Sequence, residues 1–151
     1  MSDNVIEAKN LKKLFSIKGM FRTKGYVHAV DGVDLTIKKG ESFGLVGESG
    51  CGKTTLGRLL LRLIENTDGE IYFKDKKISG QSDKNLTEYR KKVGVVFQDP
   101  FTSFDPRKLI IDGVGEPAII HKIQNQNLEK QVGDILEKVG MSREQMFRYP
   151  H

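Results

Sequence analysis

The sequence has little of what an exported or membrane-spanning protein uses. It contains a single cysteine, Cys51, so no disulfide can form within the chain, which fits a reducing cytoplasm. Its longest apolar runs are a few residues, whereas a transmembrane helix requires about 20. The start, Met1-Ser2-Asp3-Asn4, is polar and acidic and lacks the basic and apolar pattern of a signal peptide. These observations favour a protein of the cytoplasm.

A concentrated charge of one sign is also missing. The 151 residues include 25 Lys and Arg against 20 Asp and Glu, a net charge of +5. The excess is spread thinly, and lysine pairs such as Lys76-Lys77 and Lys91-Lys92 are typical of a solvated face rather than of a nucleic-acid footprint. There is no internal repeat. With 37% hydrophobic and 30% charged residues, the composition predicts one ordinary folded domain.

One strong motif is present, a glycine-rich stretch near residue 50. The sequence Gly47-Glu48-Ser49-Gly50-Cys51-Gly52-Lys53-Thr54-Thr55 matches the phosphate-binding pattern G-x-x-x-x-G-K-[ST]. An apolar run at 42–46 precedes it and is predicted to be a buried strand. Leucines at helical spacing follow it (Leu56, Leu59, Leu60 and Leu63). A strand, a glycine-rich loop and a helix in this order are the context that the motif requires.

The residue types in this loop indicate what it binds. Its glycines allow a tight turn whose successive N–H groups surround a phosphate, and the helix that begins near Lys53 adds its positive end. Lys53 is expected to reach the β- and γ-phosphates, and the Thr54 hydroxyl to hold Mg²⁺. The alternative is a plain glycine-rich turn, which four fixed positions in the expected context disfavour. Cys51 is interpreted as a small loop residue, since an active nucleophile requires a nearby base.

Short strands and turns before the motif predict an antiparallel sheet. Residues 5–16 are predicted as a strand, and 17–25 as a basic loop. Strands at 26–30 and 33–37 are predicted on either side of a hairpin turn at Asp31-Gly32.

After the motif the pattern predicts an α/β core. A turn at 67–69, a strand at 71–73 and a short helix around 86–92 come first. The valine-rich run 93–97 is predicted to be a strand buried on both faces. Gln98 follows it, at the edge of the sheet where ligands of open α/β folds bind.

The last third of the chain predicts a loop and helices. Two prolines make 99–107 a loop, and the apolar segment from 108 is predicted to be helical only as far as about Gly115, because Pro117 disfavours helix before it. An apolar helical face follows, with Gly140 as its C-cap. A capping box then begins a last short helix. The apolar face comprises Leu128, Val132, Ile135, Leu136 and Val139, and the box Ser142 and Gln145.

Three stretches together resemble the ATP-binding subunits of ABC transporters. They are the loop 47–55, the segment 95–100 (Val-Val-Phe-Gln-Asp-Pro) and Tyr149-Pro150-His151. The runs GESGCGKTTLGR and FQDPFTSFDPR resemble most closely the ATPase subunits of oligopeptide and dipeptide importers, and the similarity covers essentially the whole chain. The resemblance implies an α/β fold, the P-loop NTPase of the ABC ATPase type, with an incomplete core sheet. It divides residues 1–151 into an N-terminal antiparallel β subdomain (1–46), a part from the phosphate loop to the Q-loop (47–98) and the start of a helical subdomain (99–151).

The resemblance also assigns roles to particular residues. ATP is expected to contact Phe15, Gly47, Glu48, Ser49, Gly50, Cys51, Gly52, Lys53, Thr54 and Thr55, with Mg²⁺ near Thr54 and Gln98. Phe15 corresponds to the aromatic residue that stacks on adenine; Tyr26 is the second candidate, and an ordinary core position is the alternative. Gln98 corresponds to the Q-loop glutamine that senses Mg²⁺ or the attacking water. The alternative for Gln98 is an ordinary polar residue at the end of a strand.

The expected partners follow from the same resemblance. They are a second ABC ATPase subunit, which closes over ATP, and membrane-spanning permease subunits that contact the loop 99–107; a plain surface loop is the alternative. The expected location is peripheral, on the cytoplasmic face of the plasma membrane. No nucleic acid is expected, although an ABC ATPase that acts on nucleic acid or ribosomes is the alternative function.

The chain departs from the family after Tyr149-Pro150-His151. The family's signature sequence, its second Mg²⁺-linked aspartate (Walker B), its catalytic glutamate and its switch histidine do not occur here, and His151 is not that histidine. The expectation is the N-terminal portion of an ATPase that couples hydrolysis to peptide uptake, a portion that binds ATP without hydrolysing it alone. An inactive nucleotide-binding fragment is a further alternative. An open sheet edge predicts marginal stability, and the transported substrate stays open.

Overall fold

The computed structural model describes residues 3–19, 23–99, 103–123 and 127–151. The chain divides into two compact units, 1–93 and 94–151. The boundaries predicted from the sequence, after 46 and after 98, remain a prediction.

The first unit is built on a four-stranded antiparallel sheet with the order β2-β1-β3-β4. Its strands are β1 (Asn4–Lys18), β2 (Thr23–Lys38), β3 (Asp68–Phe73) and β4 (Lys76–Lys77). The predicted antiparallel sheet is therefore confirmed. The predicted loop 17–25 is shorter than expected, because the β1–β2 pairing continues to the Lys18–Thr23 pair, and residues 20–22 lie outside the described residues.

The hairpin turn predicted at Asp31-Gly32 is wrong, because β2 runs through it as one continuous strand. Gly32 has a φ of 69°, and the register of β2 against β1 shifts here. A positive φ within a strand is typical of a bulge, where one extra residue is accommodated without reversing the chain. The predicted turn at 67–69 is also replaced by strand, since β3 begins at Asp68.

Two helices pack on this sheet, α1 (Lys53–Leu60) and α2 (Thr87–Arg90). Leu56 and Leu59 of α1 are buried, as their helical spacing predicted. The helix was predicted to extend to Leu63, but it ends at Leu60, and Leu63 is 50% exposed. Tyr89 of α2 donates a hydrogen bond of 2.5 Å to the carbonyl of Leu60, which ties α2 to the end of α1. The buried core comprises Ala8, Leu11, Val30, Leu56, Leu59, Ile71, Phe73, Ile78, Leu86 and Tyr89.

The two segments predicted to be buried strands before and after this core are not strands. Residues 42–46 and 93–97 have no ladder partner within the described part of the chain. Val46 is 98% exposed and Val96 is 93% exposed. A strand is stabilised by hydrogen bonds to a neighbouring strand, so an apolar run without such a neighbour does not form a strand.

The second unit contains α3 (Ile110–Ile120), α4 (Leu128–Lys138) and a 3₁₀ helix (Arg143–Phe147). Val132, Leu136 and Met146 form its buried centre. The predicted α4 face is only partly buried, because Ile135 and Val139 are exposed.

The helix ends of this unit follow the sequence closely, with one exception. Gly140 has a φ of 80°, and Met141 N–H donates to the Leu136 carbonyl at 2.9 Å, which closes α4 as predicted. The Gln145 side chain accepts a 2.9 Å hydrogen bond from Ser142 N–H, as the capping box requires. The predicted helix end near Gly115 is wrong, since α3 continues through Pro117. Proline removes one donor, but its own carbonyl still accepts from His121 N–H at 3.0 Å, so the helix continues.

Candidate functional site

The predicted phosphate-binding loop connects the exposed segment 42–46 to the first turn of α1. Gly50 and Gly52 both adopt positive φ angles, 82° and 96°, which residues with a side chain rarely adopt. Residues 47–51 are exposed, whereas Leu56 and Leu59 anchor the helix behind them in the core. The loop is therefore an accessible turn on a fixed support.

Gly52 also lies very close to the sheet. A Cβ atom at this position would stand 2.2 Å from the carbonyl oxygen of Ala29 in β2. Only glycine lets the loop backbone approach β2 this closely, so the sheet fixes the point at which α1 begins. This contact could not be found from the sequence, because any residue at position 29 supplies the same carbonyl.

Lys53 folds back across the loop. Its Nζ atom donates to the carbonyl oxygens of Gly47 at 2.7 Å and Glu48 at 2.5 Å, and lies 3.5 Å from the Sγ atom of Cys51. The ammonium group of Lys53 is thus held within the turn. Lys53 is also the residue that the motif assigns to phosphate contact. An anion that enters the loop meets this charge directly.

The start of α1 has no side-chain cap. Gly52 occupies the N-cap and offers no side chain, and the first turn contains no acidic residue. Helix starts leave their first N–H groups without intrahelical partners, and these groups with the helix dipole favour an anion. Thr54 is exposed in this turn and Thr55 is half-buried. The donors fit a phosphate group, and an exposed threonine hydroxyl beside it fits Mg²⁺.

The two aromatic candidates for adenine stacking lie on opposite faces of the β1–β2 ribbon. Phe15 is paired with Val27, whereas Tyr26 is paired with Ser16, and neighbouring residues in a strand point to opposite faces. Phe15 is 43% exposed and Tyr26 60% exposed. Exposure at this level argues against the alternative that Phe15 is an ordinary core residue. The Nζ atom of Lys13 lies 5.1 Å from the centre of the Phe15 ring.

Gln98 and the loop after it belong to the second unit. Gln98 is exposed and lies in a bend, not at the end of a strand as predicted. Residues 100–102 of the loop lie outside the described residues. Arg107 donates to both carboxylate oxygens of Asp105, at 3.1 and 3.2 Å, and these hydrogen bonds hold the pKa of Asp105 below its usual value.

A protein-only metal site is not found in the part of the chain that the structure describes. No group of three or more His, Cys, Asp or Glu side chains there is arranged to hold a metal ion. None of the described helices is both long enough and apolar enough to cross a bilayer.

Known proteins resemble this chain in sequence. The family model described as ABC transporter matches residues 30–149. The chain is 42% identical over 154 residues to the oligopeptide transport ATP-binding protein OppF of Bacillus subtilis (strain 168), covering 100% of this chain and 49% of the relative. It is 40% identical over 149 residues to the dipeptide transport ATP-binding protein DppF of Haemophilus influenzae, covering 97% of this chain and 46% of the relative. The chain spans about half the length of the curated relatives it matches.

Solved structures resemble it in fold. The ATP-binding cassette MJ0796, in a dimeric post-hydrolysis state bound to ADP and Pi, matches with a TM-score of 0.79 and 26% identity, covering 96% of this chain and 61% of that chain. The cbiO1 protein of Clostridium perfringens, part of the ABC transporter complex cbiONQ, matches with a TM-score of 0.68 and 26% identity, covering 93% of this chain and 52% of that chain. Both the predicted resemblance and the predicted fold class are therefore confirmed. Because the family model matches most of the residues and solved cassettes match nearly all of them, the chain belongs to the ABC transporter family.

Proposed function

We propose that this chain binds ATP with Mg²⁺ at the loop 47–55, as part of the ATP-binding subunit of an ABC importer. The observation that carries the proposal is the start of α1. There, Gly52 leaves the helix end without a side-chain cap, and Lys53 places an ammonium group within the loop. A cation and open N–H groups at one turn are the donors that a triphosphate requires.

The backbone of the loop, two of its side chains and two residues outside it have different tasks. The backbone N–H groups from Gly47 to Thr55 surround the phosphates, and Lys53 exchanges its two carbonyl partners for phosphate oxygens. The Thr54 hydroxyl holds Mg²⁺, and Gln98 senses Mg²⁺ or water. Bound ATP supplies the phosphoanhydride bond whose hydrolysis drives ABC proteins. Phe15 stacks on the adenine ring, which its exposure on the β1–β2 ribbon supports.

We infer that the chain alone binds nucleotide without turning it over. The catalytic glutamate, the signature sequence and the switch histidine that the family resemblance associates with hydrolysis do not occur in this sequence. In the intact importer, ATP binding and hydrolysis are coupled to the uptake of peptides. The names of the relatives, oligopeptide and dipeptide transport ATP-binding proteins, support this substrate class.

The proposed partners are a second ATPase subunit and the permease. The dimeric state of the MJ0796 cassette supports the first, and the transport names of the relatives support the second. The loop 99–107 is proposed to face the permease, which places the subunit peripherally on the cytoplasmic face of the plasma membrane. Cross-linking from the variant Arg107→Cys to permease subunits tests this contact. A cross-link to a ribosomal protein or to RNA instead would favour the non-transport alternative.

Titration of the purified chain with the fluorescent analogue mant-ATP and Mg²⁺ tests nucleotide binding. Lys53→Ala removes charge-assisted hydrogen bonds worth about 1.5–3 kcal/mol, so the dissociation constant is expected to rise roughly ten- to a hundredfold. Lys84→Ala, at an exposed lysine away from the loop, is the matched control and should bind like the unmodified chain. Equal affinity of the Lys53→Ala and Lys84→Ala variants would refute the proposed site.

A further inference from the structure

We propose a second binding site in the first unit, a basic cleft for an acidic segment of a partner protein. The basic cleft lies between the β3–β4 hairpin and α2, and has a volume of about 310 Å³. Its main lining residues are Phe73, Lys74, Lys76, Lys77, Tyr89 and Lys92. It goes beyond nucleotide binding, because none of these residues belongs to the loop 47–55.

The rim of the basic cleft concentrates positive charge from two separate segments of the chain. Lys74, Lys76 and Lys77 come from the β3–β4 hairpin, and Lys92 comes from the residues after α2. Lys77 already pairs with Glu70 at 2.5 Å. Glu88 is the one acidic residue among the described lining residues. Glu88 accepts from Lys91 at 3.0 Å. The sequence alone indicates two unrelated lysine pairs on a solvated face, Lys76-Lys77 and Lys91-Lys92. The fold brings both members of the first pair and Lys92 of the second to one concave surface. Like charges around a recess focus the potential and attract an anionic partner.

The floor of the basic cleft is apolar. Phe73, Ile78 and Tyr89 are buried there, and the rings of Phe73 and Tyr89 meet edge to face with centroids 5.0 Å apart. The Nζ atom of Lys74 lies 5.5 Å from the centre of the Phe73 ring. The volume is at the lower end of the range for ligand pockets, about 300–1,000 Å³, and suits one apolar side chain.

An acidic peptide satisfies both parts of this surface at once. An apolar anchor side chain enters the recess, and flanking Asp or Glu side chains meet the lysines of the rim. A flat layer of lipid headgroups would meet the rim but leave the recess empty, and inorganic phosphate would leave the apolar floor without a partner. β4 is an edge strand of the sheet, so lysines there also protect against edge-to-edge association, and the experiment must separate this role from binding.

Fluorescence anisotropy with the full chain, without nucleotide, tests the proposal. The probe is a fluorescein-labelled heptapeptide with one central phenylalanine flanked by alternating Glu and Asp, and the reference peptide has serine in place of phenylalanine. The probe is expected to bind at low salt (about 50 mM), to weaken strongly at about 300 mM because the contacts are between exposed charges, and to bind more tightly than the serine peptide.

Charge-reversal variants locate the binding surface. Lys76→Glu combined with Lys92→Glu is expected to weaken the probe about tenfold or more, since two attractive contacts become repulsive. Lys39→Glu combined with Lys84→Glu changes the net charge equally at exposed sites outside the cleft and is expected to have a much smaller effect. Lys76→Gln with Lys92→Gln serves where charge reversal impairs folding, which circular dichroism reports.

Four outcomes would overturn the proposal. They are no binding by the unmodified chain, an equal loss in both double variants, equal binding of the phenylalanine and serine peptides, and displacement of the probe by phosphate or by phosphatidylserine vesicles as readily as by unlabelled peptide. Because every measurement is made without nucleotide, failure here leaves the ATP proposal untouched, and the reverse also holds.

Discussion

The close approach of Gly52 to β2 makes a quantitative prediction about Gly52→Ala. A residue with a side chain at a φ of 96° costs about 1–2 kcal/mol, because Cβ crowds the neighbouring carbonyl. In addition, the new Cβ would stand 2.2 Å from the Ala29 oxygen, so backbone must move. Overpacking of this kind costs about 1–3 kcal/mol. The expected loss in the free energy of unfolding is therefore about 2–5 kcal/mol.

Gly50→Ala is the matched control for this prediction. Gly50 has a φ of 82°, but nothing lies within 4 Å of a Cβ placed there, so only the conformational cost of about 1–2 kcal/mol applies. Gly57→Ala, in the interior of α1 and also with open space, should instead increase the stability by up to about 1 kcal/mol. The difference between the variants at 52 and 50 isolates the contact with β2.

Urea unfolding, monitored by circular dichroism, measures the free energy of unfolding. Titration with mant-ATP measures the affinity of the loop for nucleotide. We expect Gly52→Ala to unfold at a lower urea concentration than Gly50→Ala, and to bind mant-ATP less well than the unmodified chain because the start of α1 is displaced. If the variants at 52 and 50 have equal unfolding free energies within about 0.5 kcal/mol and equal affinities, the proposed support of the loop by β2 is refuted.

Two further predictions concern aromatic residues of the first unit. Phe15→Ala should weaken mant-ATP binding about fivefold to a hundredfold, as expected for loss of base stacking, while Tyr26→Ala on the opposite face should leave it unchanged; the reverse result would transfer the adenine contact to Tyr26. Burial raises the pKa of Tyr89 from 10.0 to about 12, so between these values the folded chain keeps a proton that the unfolded chain releases. The stability from Tyr89 should be complete below about pH 10 and decline as the pH rises towards 12, and urea unfolding of Tyr89→Phe should show a smaller decline over this range; an identical pH profile in both proteins would contradict it.

Local sequence determines the helix ends and the loop, because the groups that form them are close in the chain. At the end of α4, Gly140 N–H donates to the carbonyl three positions earlier and Met141 N–H to the carbonyl five positions earlier, and Gln145 caps a residue three positions away. Gly50 and Gly52 likewise adopt the positive φ angles that the motif requires. In each case a few neighbouring residues decide the conformation, so the sequence pattern is sufficient.

Features that depend on distant residues were not predictable in the same way. Asp31-Gly32 can form a hairpin turn or a bulge, and the choice depends on the continued pairing of β2 with β1. The basic cleft forms only when the segments that carry Lys76 and Lys92 line one concave surface, and no spacing in the sequence indicates this. The contact of Gly52 with the Ala29 carbonyl depends on the packing of the loop on β2.

The segments 42–46 and 93–97 show most clearly that a conformation that depends on distant residues cannot be predicted from local sequence. Their valines and phenylalanines favour strands buried on both faces, yet Val46 and Val96 are almost fully exposed. Burying one such side chain contributes about 1.5–3 kcal/mol, but only when a neighbouring strand covers it and satisfies its backbone. A strand preference in the sequence is therefore a capacity to pair, and the pairing itself must come from another segment. For the phosphate-binding loop, the described residues supply the other segments: the core of the first unit buries Leu56 and Leu59 of α1, and β2 supports Gly52. The proposed contacts of the loop 47–55 with nucleotide thus rest on packing within the first unit.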